Sequence, residues 1–208
     1  MTLKKTAQEK NSNHTVSSQR LNHQDNRGRT ALHRAASKGQ VNKIKHLIRL
    51  GAEPNLAAND GTTPLHLAAI HQHHAITEIL ILSGSDLDHQ DIYGRPPLLK
   101  AVMEGHDCIS DMLMAYGASI HQQDQLGNTA LHYSVLRGNN IIIKNLLMAG
   151  ANPLKENNKG FTPLHLAAKE GLLQTIKTLL KQGLKTQAKS ITGRCPLHLA
   201  IKSPLSLV

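Results

Sequence analysis

Glycine recurs at a spacing of 33 residues along nearly the whole chain. The six positions that keep this register without a slip are Gly28, Gly61, Gly94, Gly127, Gly160 and Gly193. A period of a few tens of residues is typical of proteins that stack copies of one supersecondary unit. Because such a unit cannot cover its own apolar face, the units are expected to stack on their neighbours.

The residues around each glycine predict two short helices per period. The segment Thr63–His66 begins two residues after Gly61 and reads Thr-Pro-Leu-His, and variants of it follow the other glycines of the series. Thr caps a helix N-terminus, and Pro is favoured in the first turn. Apolar pairs such as Leu80-Ile81 mark a second helix, and a further glycine, here Gly84, ends it.

This pattern resembles the ankyrin repeat family over about residues 21–208. The resemblance implies an all-α solenoid of stacked helix-turn-helix units, with β-hairpin tips and a concave groove. We count five full repeats and a partial sixth, at residues 25–57, 58–90, 91–123, 124–156, 157–189 and 190–208. Residues 1–20 are polar and fit no repeat, so a flexible N-terminal segment is expected there.

Three departures from the pattern are informative. In the third repeat, Pro96 and Leu99 stand where the family has Thr and His, so its helix capping is expected to be weaker. In the second repeat, Gln72 occupies the position of a turn glycine. The sixth repeat reaches Val208 before a second helix, which predicts a fragment of a longer protein or completion by another segment.

The chain contains 14 histidines, which raises the question of a metal site. The resemblance implies that five of them bond within and between repeats: His33, His66, His132, His165 and His198. The dense group His71, His73 and His74 has imidazoles that suit Zn or Cu. No paired Cys or second histidine motif completes that site, so a solvated turn is favoured and neither metal nor cofactor is predicted.

No motif predicts catalysis. The sequence contains no phosphate-binding loop, nucleophile elbow or dinucleotide fingerprint. Cys108 and Cys195 are expected to be packing or capping residues, with Cys195 in the place of a capping Thr. We therefore expect a protein that is not an enzyme and has no catalytic residues.

The charge alternates along the chain, although the net charge is +10. Repeats one and five are basic, whereas the second repeat has four acidic residues and no Lys or Arg. A nucleic-acid binder is expected to present a continuous basic stripe, and the acidic repeat interrupts it. An acidic protein partner is therefore favoured, and nucleic-acid binding through the basic ends is an alternative.

Composition narrows the setting in which the protein works. No apolar run is long enough to span a membrane, and residues 1–20 show no secretory signal. Two cysteines make no disulfide framework, which favours a reducing compartment. We expect a monomeric cytoplasmic protein, with the nucleus or delivery into a host cell as alternatives.

The resemblance implies that partners contact the hairpin tips and the exposed side of the first helix. Tyr93 and Phe161 are aromatic residues at tips, and Ile70, Met103 and Leu136 form an apolar line with one residue per repeat. Exposed apolar surface rimmed by charge marks interaction sites, and aromatic residues and Arg are enriched among binding hot spots. The predicted partner-binding residues are Arg29, Ile70, Tyr93, Arg95, Met103, Leu126, Leu136, Arg137, Phe161 and Lys169.

The predicted function is protein–protein interaction, as an adaptor or scaffold. One alternative is a targeting module of a longer polypeptide, and another is a bacterial effector that acts on host proteins. Nucleic-acid binding is the third, and it predicts a steep loss of affinity with salt.

Overall fold

The computed structural model of the protein describes residues 21–181, 190, 191 and 193–200. The predicted flexible segment 1–20 lies outside the described residues. The chain divides into two compact units, Met1–Asp86 and Leu87–Val208. Throughout the described ranges the regular elements are helices, which confirms the predicted all-α class.

The first unit contains two helix pairs in its described part. They are α1 (Ala31–Ser37), α2 (Val41–Arg49), α3 (Pro64–Ile70) and α4 (His74–Leu82). In each pair we call α1 or α3 the first helix and α2 or α4 the second helix. First packs on first and second on second, so the two pairs are stacked as the repeat predicts.

The second unit continues this arrangement with three pairs and one further first helix in its described part. They are α5 (Pro97–Glu104), α6 (Asp107–Ala115), α7 (Ala130–Leu136), α8 (Asn140–Met148), α9 (Pro163–Lys169), α10 (Leu173–Leu180) and α11 (Pro196–Ala200). Successive first helices α5, α7, α9 and α11 pack on one another, as do the second helices α6, α8 and α10.

Each unit has a core of leucine, isoleucine and alanine. Helices α1, α3 and α9 each bury a leucine and two alanines, as α3 does with Leu65, Ala68 and Ala69. The second helices α4, α6 and α8 bury apolar residues four apart, such as Ile76 and Leu80. The small alanines let neighbouring helices approach closely, and each buried leucine or isoleucine stabilises the fold by roughly 1.5–3 kcal/mol.

A threonine and a histidine cap most first helices. At α1 the backbone N–H of Thr30 donates to His33 Nδ1 at 3.1 Å, while Thr30 Oγ1 accepts from the His33 N–H. Equivalent capping boxes start α3, α7 and α9. Since Nδ1 accepts a hydrogen bond, the imidazole proton lies on Nε2.

That Nε2–H donates to the next repeat. His33 donates to the Thr62 carbonyl at 3.0 Å, His132 to the Phe161 carbonyl at 2.9 Å and His165 to the Arg194 carbonyl at 3.1 Å. These bonds confirm the predicted role of these histidines within and between repeats. Burial lowers the pKa of His33 and His132 below the ordinary 6.5 because desolvation disfavours the imidazolium, and the carbonyl bond offsets this only in part.

The third repeat lacks this cap, as predicted. Its first helix α5 begins after Pro96, which makes no side-chain capping bond. Leu99 occupies the histidine position and is fully buried. This repeat therefore replaces a hydrogen-bonded polar group with apolar packing.

Gln72 adopts the left-handed conformation that its register predicts for glycine. Its φ is +57°, whereas Gly39 and Gly105 have +70° and +80° one period before and after it. No other non-glycine residue within the described ranges has a positive φ. A left-handed conformation costs a non-glycine residue about 1–2 kcal/mol.

We predict that Gln72→Gly stabilises the protein. Removing Cβ relieves the left-handed strain, and the added entropy of the unfolded chain takes back part of the gain. The free energy of unfolding in urea should rise by about 0.5–1 kcal/mol. Gln72→Ala is the control and should bring no gain, because it retains the Cβ; an equal rise in both variants would contradict the strain argument.

We also predict that stability falls as the pH drops from about 7.5 to about 5.5. Below 6.5 the unfolded chain protonates His33 and His132, whereas the folded chain keeps them neutral because their folded pKa values are lowered. Each histidine contributes a slope of at most about 1.4 kcal/mol per pH unit. Urea midpoints across this range test the stability, and NMR titration of both imidazoles tests the cause; a midpoint that stays level or rises on acidification contradicts it.

Candidate protein-interaction surface

The hairpin tips are tight turns held by one side chain at their start. Asp91 Oδ1 accepts the backbone N–H of Tyr93 and of Arg95, both at 2.9 Å. The same pair of bonds is made by Asp25, Asp124 and Asn157 in their own tips. These bonds fix the tip backbone, so the direction of the side chains that it carries is also fixed.

The second carboxylate oxygen ties the tip to its own first helix. Asp91 Oδ2 lies 3.1 Å from Lys100 Nζ, with the Asp91 side chain only 2% exposed. Asp124 Oδ2 accepts from the Tyr133 hydroxyl, whose pKa is raised mainly by burial. In the first unit Asp25 Oδ2 pairs with Arg34 of α1, at 3.4 Å.

Sequence reasoning missed these tip-bracing residues. The signal was available, because Asp25, Asp91, Asp124 and Asn157 each stand three residues before a glycine of the 33-residue series. In the second repeat the position is Ala58, and there Asp60 Oδ1 accepts the Thr62 N–H instead, at 3.0 Å.

In the second unit, the tips of the third and fourth repeats expose large apolar side chains. Ile92, Tyr93 and Leu126 are 51%, 49% and 58% exposed, and we call these three residues the tip ridge. The Arg95 guanidinium carbon lies 4.5 Å from the centre of the Tyr93 ring, a cation–π contact that orients both groups. Phe161 is partly buried and stacks on His165, with ring centres 5.7 Å apart.

The ends of the first helices place the other predicted residues of this unit. Leu136 is 41% exposed, whereas Met103 is partly buried. Arg137 Nη1 donates to the Met103 carbonyl at 2.6 Å and so links consecutive repeats. Lys169 is exposed and pairs with Glu170 at 3.0 Å.

The first unit holds the two remaining predicted residues. Arg29 Nε lies 3.5 Å from Asp25 in the first tip. Ile70 is partly buried at the last position of α3.

The histidine and cysteine side chains considered for a metal or reactive site lie in three different repeats. His73 Nε2 lies 3.2 Å from the Ser37 carbonyl, and among the described residues no three His, Cys, Asp or Glu side chains are grouped to hold a metal. Cys195 Sγ lies 3.1 Å from His198 Nδ1, which confirms that it takes the place of the capping threonine. Cys108 is exposed, so the expectation that it packs is wrong: its side chain projects from α6 towards solvent.

No helix in the described part of the chain is both long and apolar enough to cross a membrane.

We predict that Asp91→Asn and Asp91→Ala destabilise the protein unequally. Asn retains the turn-forming oxygen, as Asn157 shows, and loses only the ion pair with Lys100, so unfolding free energy should fall by about 1 kcal/mol. Ala also leaves the N–H groups of Tyr93 and Arg95 without this acceptor and should lower it by about 3 kcal/mol. Urea denaturation measures both values; equal losses would show that the turn bonds contribute nothing.

Comparison with known families agrees with this geometry. Three overlapping segments, residues 6–91, 75–157 and 137–206, match the family model for ankyrin repeats (3 copies). Comparison with curated proteins gives no significant match. The matched segments together cover most of the sequence, and the described residues show the stacked helix pairs that the repeat requires. The chain therefore belongs to the ankyrin repeat family, whose repeats generally serve as protein–protein interaction modules.

Proposed function

We propose that the protein is a non-enzymatic adaptor or scaffold that binds a partner protein through its hairpin tips and the ends of its first helices. In the second unit this surface comprises the tip ridge, Arg95, Met103, Leu136, Arg137, Phe161 and Lys169. Arg29 and Ile70 are the corresponding positions proposed in the first unit.

The tip ridge is the observation that carries the proposal. Ile92, Tyr93 and Leu126 are about half exposed, although each is an apolar or aromatic side chain. Their backbone is fixed by Asp91 and Asp124, so little conformational freedom remains to be lost when a partner covers them. Tyr93, with Arg95 against its ring, is of the residue types that are enriched among binding hot spots.

The surrounding charges indicate the kind of partner. Arg95 holds its guanidinium against Tyr93, and Arg137 presents an exposed guanidinium beside Met103. Arginine pairs well with carboxylates, so a partner that places acidic side chains next to an apolar patch is complementary to this surface.

The test compares two triple variants of matched composition. Tyr93→Ala/Met103→Ala/Leu136→Ala removes apolar area from the proposed surface. Tyr116→Ala/Ile141→Ala/Leu173→Ala is the control, because it removes one tyrosine and two aliphatic side chains that are 43%, 60% and 70% exposed elsewhere in the same unit.

Wild type and both variants are immobilised for affinity capture from cell lysate, and captured proteins are identified by mass spectrometry and then titrated individually. We expect the surface variant to bind the partner at least tenfold more weakly and the control less than twofold. Urea denaturation checks folding. Equal capture by the two variants would refute the proposed surface, and capture of nucleic acid alone would favour the basic ends instead.

A further inference from the structure

A groove runs between the second helices α8 and α10, away from the tips and first helices of the proposed function. Its volume is 520 Å³. It is lined by Lys144, Leu147, Met148, Gln174, Lys177, Thr178 and Lys181, and we call it the lysine groove.

The groove carries positive charge without internal compensation. Lys144 lies on α8, and Lys177 and Lys181 lie one helical turn apart at α10, so the groove has cations on both sides. Neither helix contains an acidic residue. Within the described part of the chain, none of these three exposed lysines has an ion-pair partner.

The acidic residues of α6 hydrogen-bond to α8 on the side away from the lysine groove. Asp107 and Asp111 of α6 accept hydrogen bonds from the side-chain amides of Asn139 and Asn145, at 2.7 and 2.8 Å. These bonds join α6 to α8 and leave the lysines at α8 and α10 on the opposite flank.

The groove also has an apolar component. Met148 is 87% exposed at the end of α8, one turn beyond Lys144, and Leu147 beside it is partly buried. An unbranched methionine adapts its shape to the side chain that contacts it. Apolar surface with one lysine on one side and two on the other is complementary to a helix with apolar residues on one face and carboxylates flanking them.

We propose that the lysine groove binds an acidic amphipathic helix of another protein. The lining contains no arginine or aromatic side chain, which are the groups that nucleic-acid surfaces use for bidentate contacts and base stacking. A flat lipid surface would contact the rim lysines and leave the recessed Leu147 uncovered. The inference does not depend on the tip ridge, because the two sites share no residue.

The experiment uses a fluorescent helical peptide of about 18 residues, long enough to form a helix. Leucines repeat on one face at helical spacing, and glutamates flank them. A control peptide replaces each glutamate by glutamine. Fluorescence anisotropy measures binding of both peptides to the full chain at low and high salt, and NMR amide shifts at residues 144–148 and 174–181 locate the bound peptide.

Two charge-reversal variants distinguish binding in the lysine groove from nonspecific attraction to the protein's net positive charge. Lys144→Glu/Lys177→Glu changes the groove, and Lys155→Glu/Lys159→Glu makes the same change in net charge at exposed lysines outside it. We expect the first pair of substitutions to weaken binding of the acidic peptide at least tenfold and the second pair to weaken it less than threefold. Met148→Gln leaves the net charge unchanged and should weaken binding of the acidic peptide at least threefold.

Several results would overturn the proposal. They are equal affinity for the glutamate and glutamine peptides, equal losses in the two lysine pairs, or no binding of the acidic peptide to the wild type. Binding of phosphatidylserine vesicles or of an RNA duplex that requires Lys144 and Lys177, without peptide binding, would assign the groove to that other class of ligand.

Discussion

The hydrogen bond from a buried histidine to the carbonyl of the following repeat couples helix capping to stacking. In His33 and His132 the Nδ1 atom accepts a hydrogen bond inside its own repeat, which commits the proton to Nε2. That Nε2–H is buried and needs an acceptor, and the next tip supplies it. A neighbouring repeat packed in a shifted register would bury this donor without its acceptor, so the stacking register is specified by polar groups as well as by apolar packing.

The side chains of Tyr93 and Leu126, in contrast, are not needed to hold their tips in place. The tip backbone is held by Asp91 and Asp124 from below, through bonds that do not involve the side chains of Tyr93 or Leu126. The third repeat illustrates the consequence, because it lacks the capping histidine yet keeps the Asp91–Lys100 ion pair. Binding and stability can therefore be altered at different positions of the same repeat.

The two proposed sites of the second unit differ in chemistry because they use different layers of the repeat. The tip ridge is apolar with arginine beside it, and its rigidity comes from the backbone hydrogen bonds that Asp91 and Asp124 accept. The lysine groove belongs to the second helices, where the residues facing outward are not needed for packing. Two sites without a shared residue would let a scaffold hold one protein while a second one binds.

Local spacing along the sequence was sufficient to predict the helix pairs, the capping threonines, the structural histidines and the glycine-like turn position of Gln72. Each of these depends on residues a few positions apart or on the 33-residue register. The candidate surface was predicted less completely. Three features of this surface depend on side-chain packing: Met103 is partly buried, Arg137 bonds to its carbonyl and Phe161 stacks on His165. Part of this packing joins residues more than 30 positions apart. The lysine groove likewise exists only because Lys144 and Lys177 are brought to facing helices. The sequence by itself determined the helix pairs and the residues that cap them, since these obey short-range stereochemistry, and only the tertiary structure decided which side chains remain exposed.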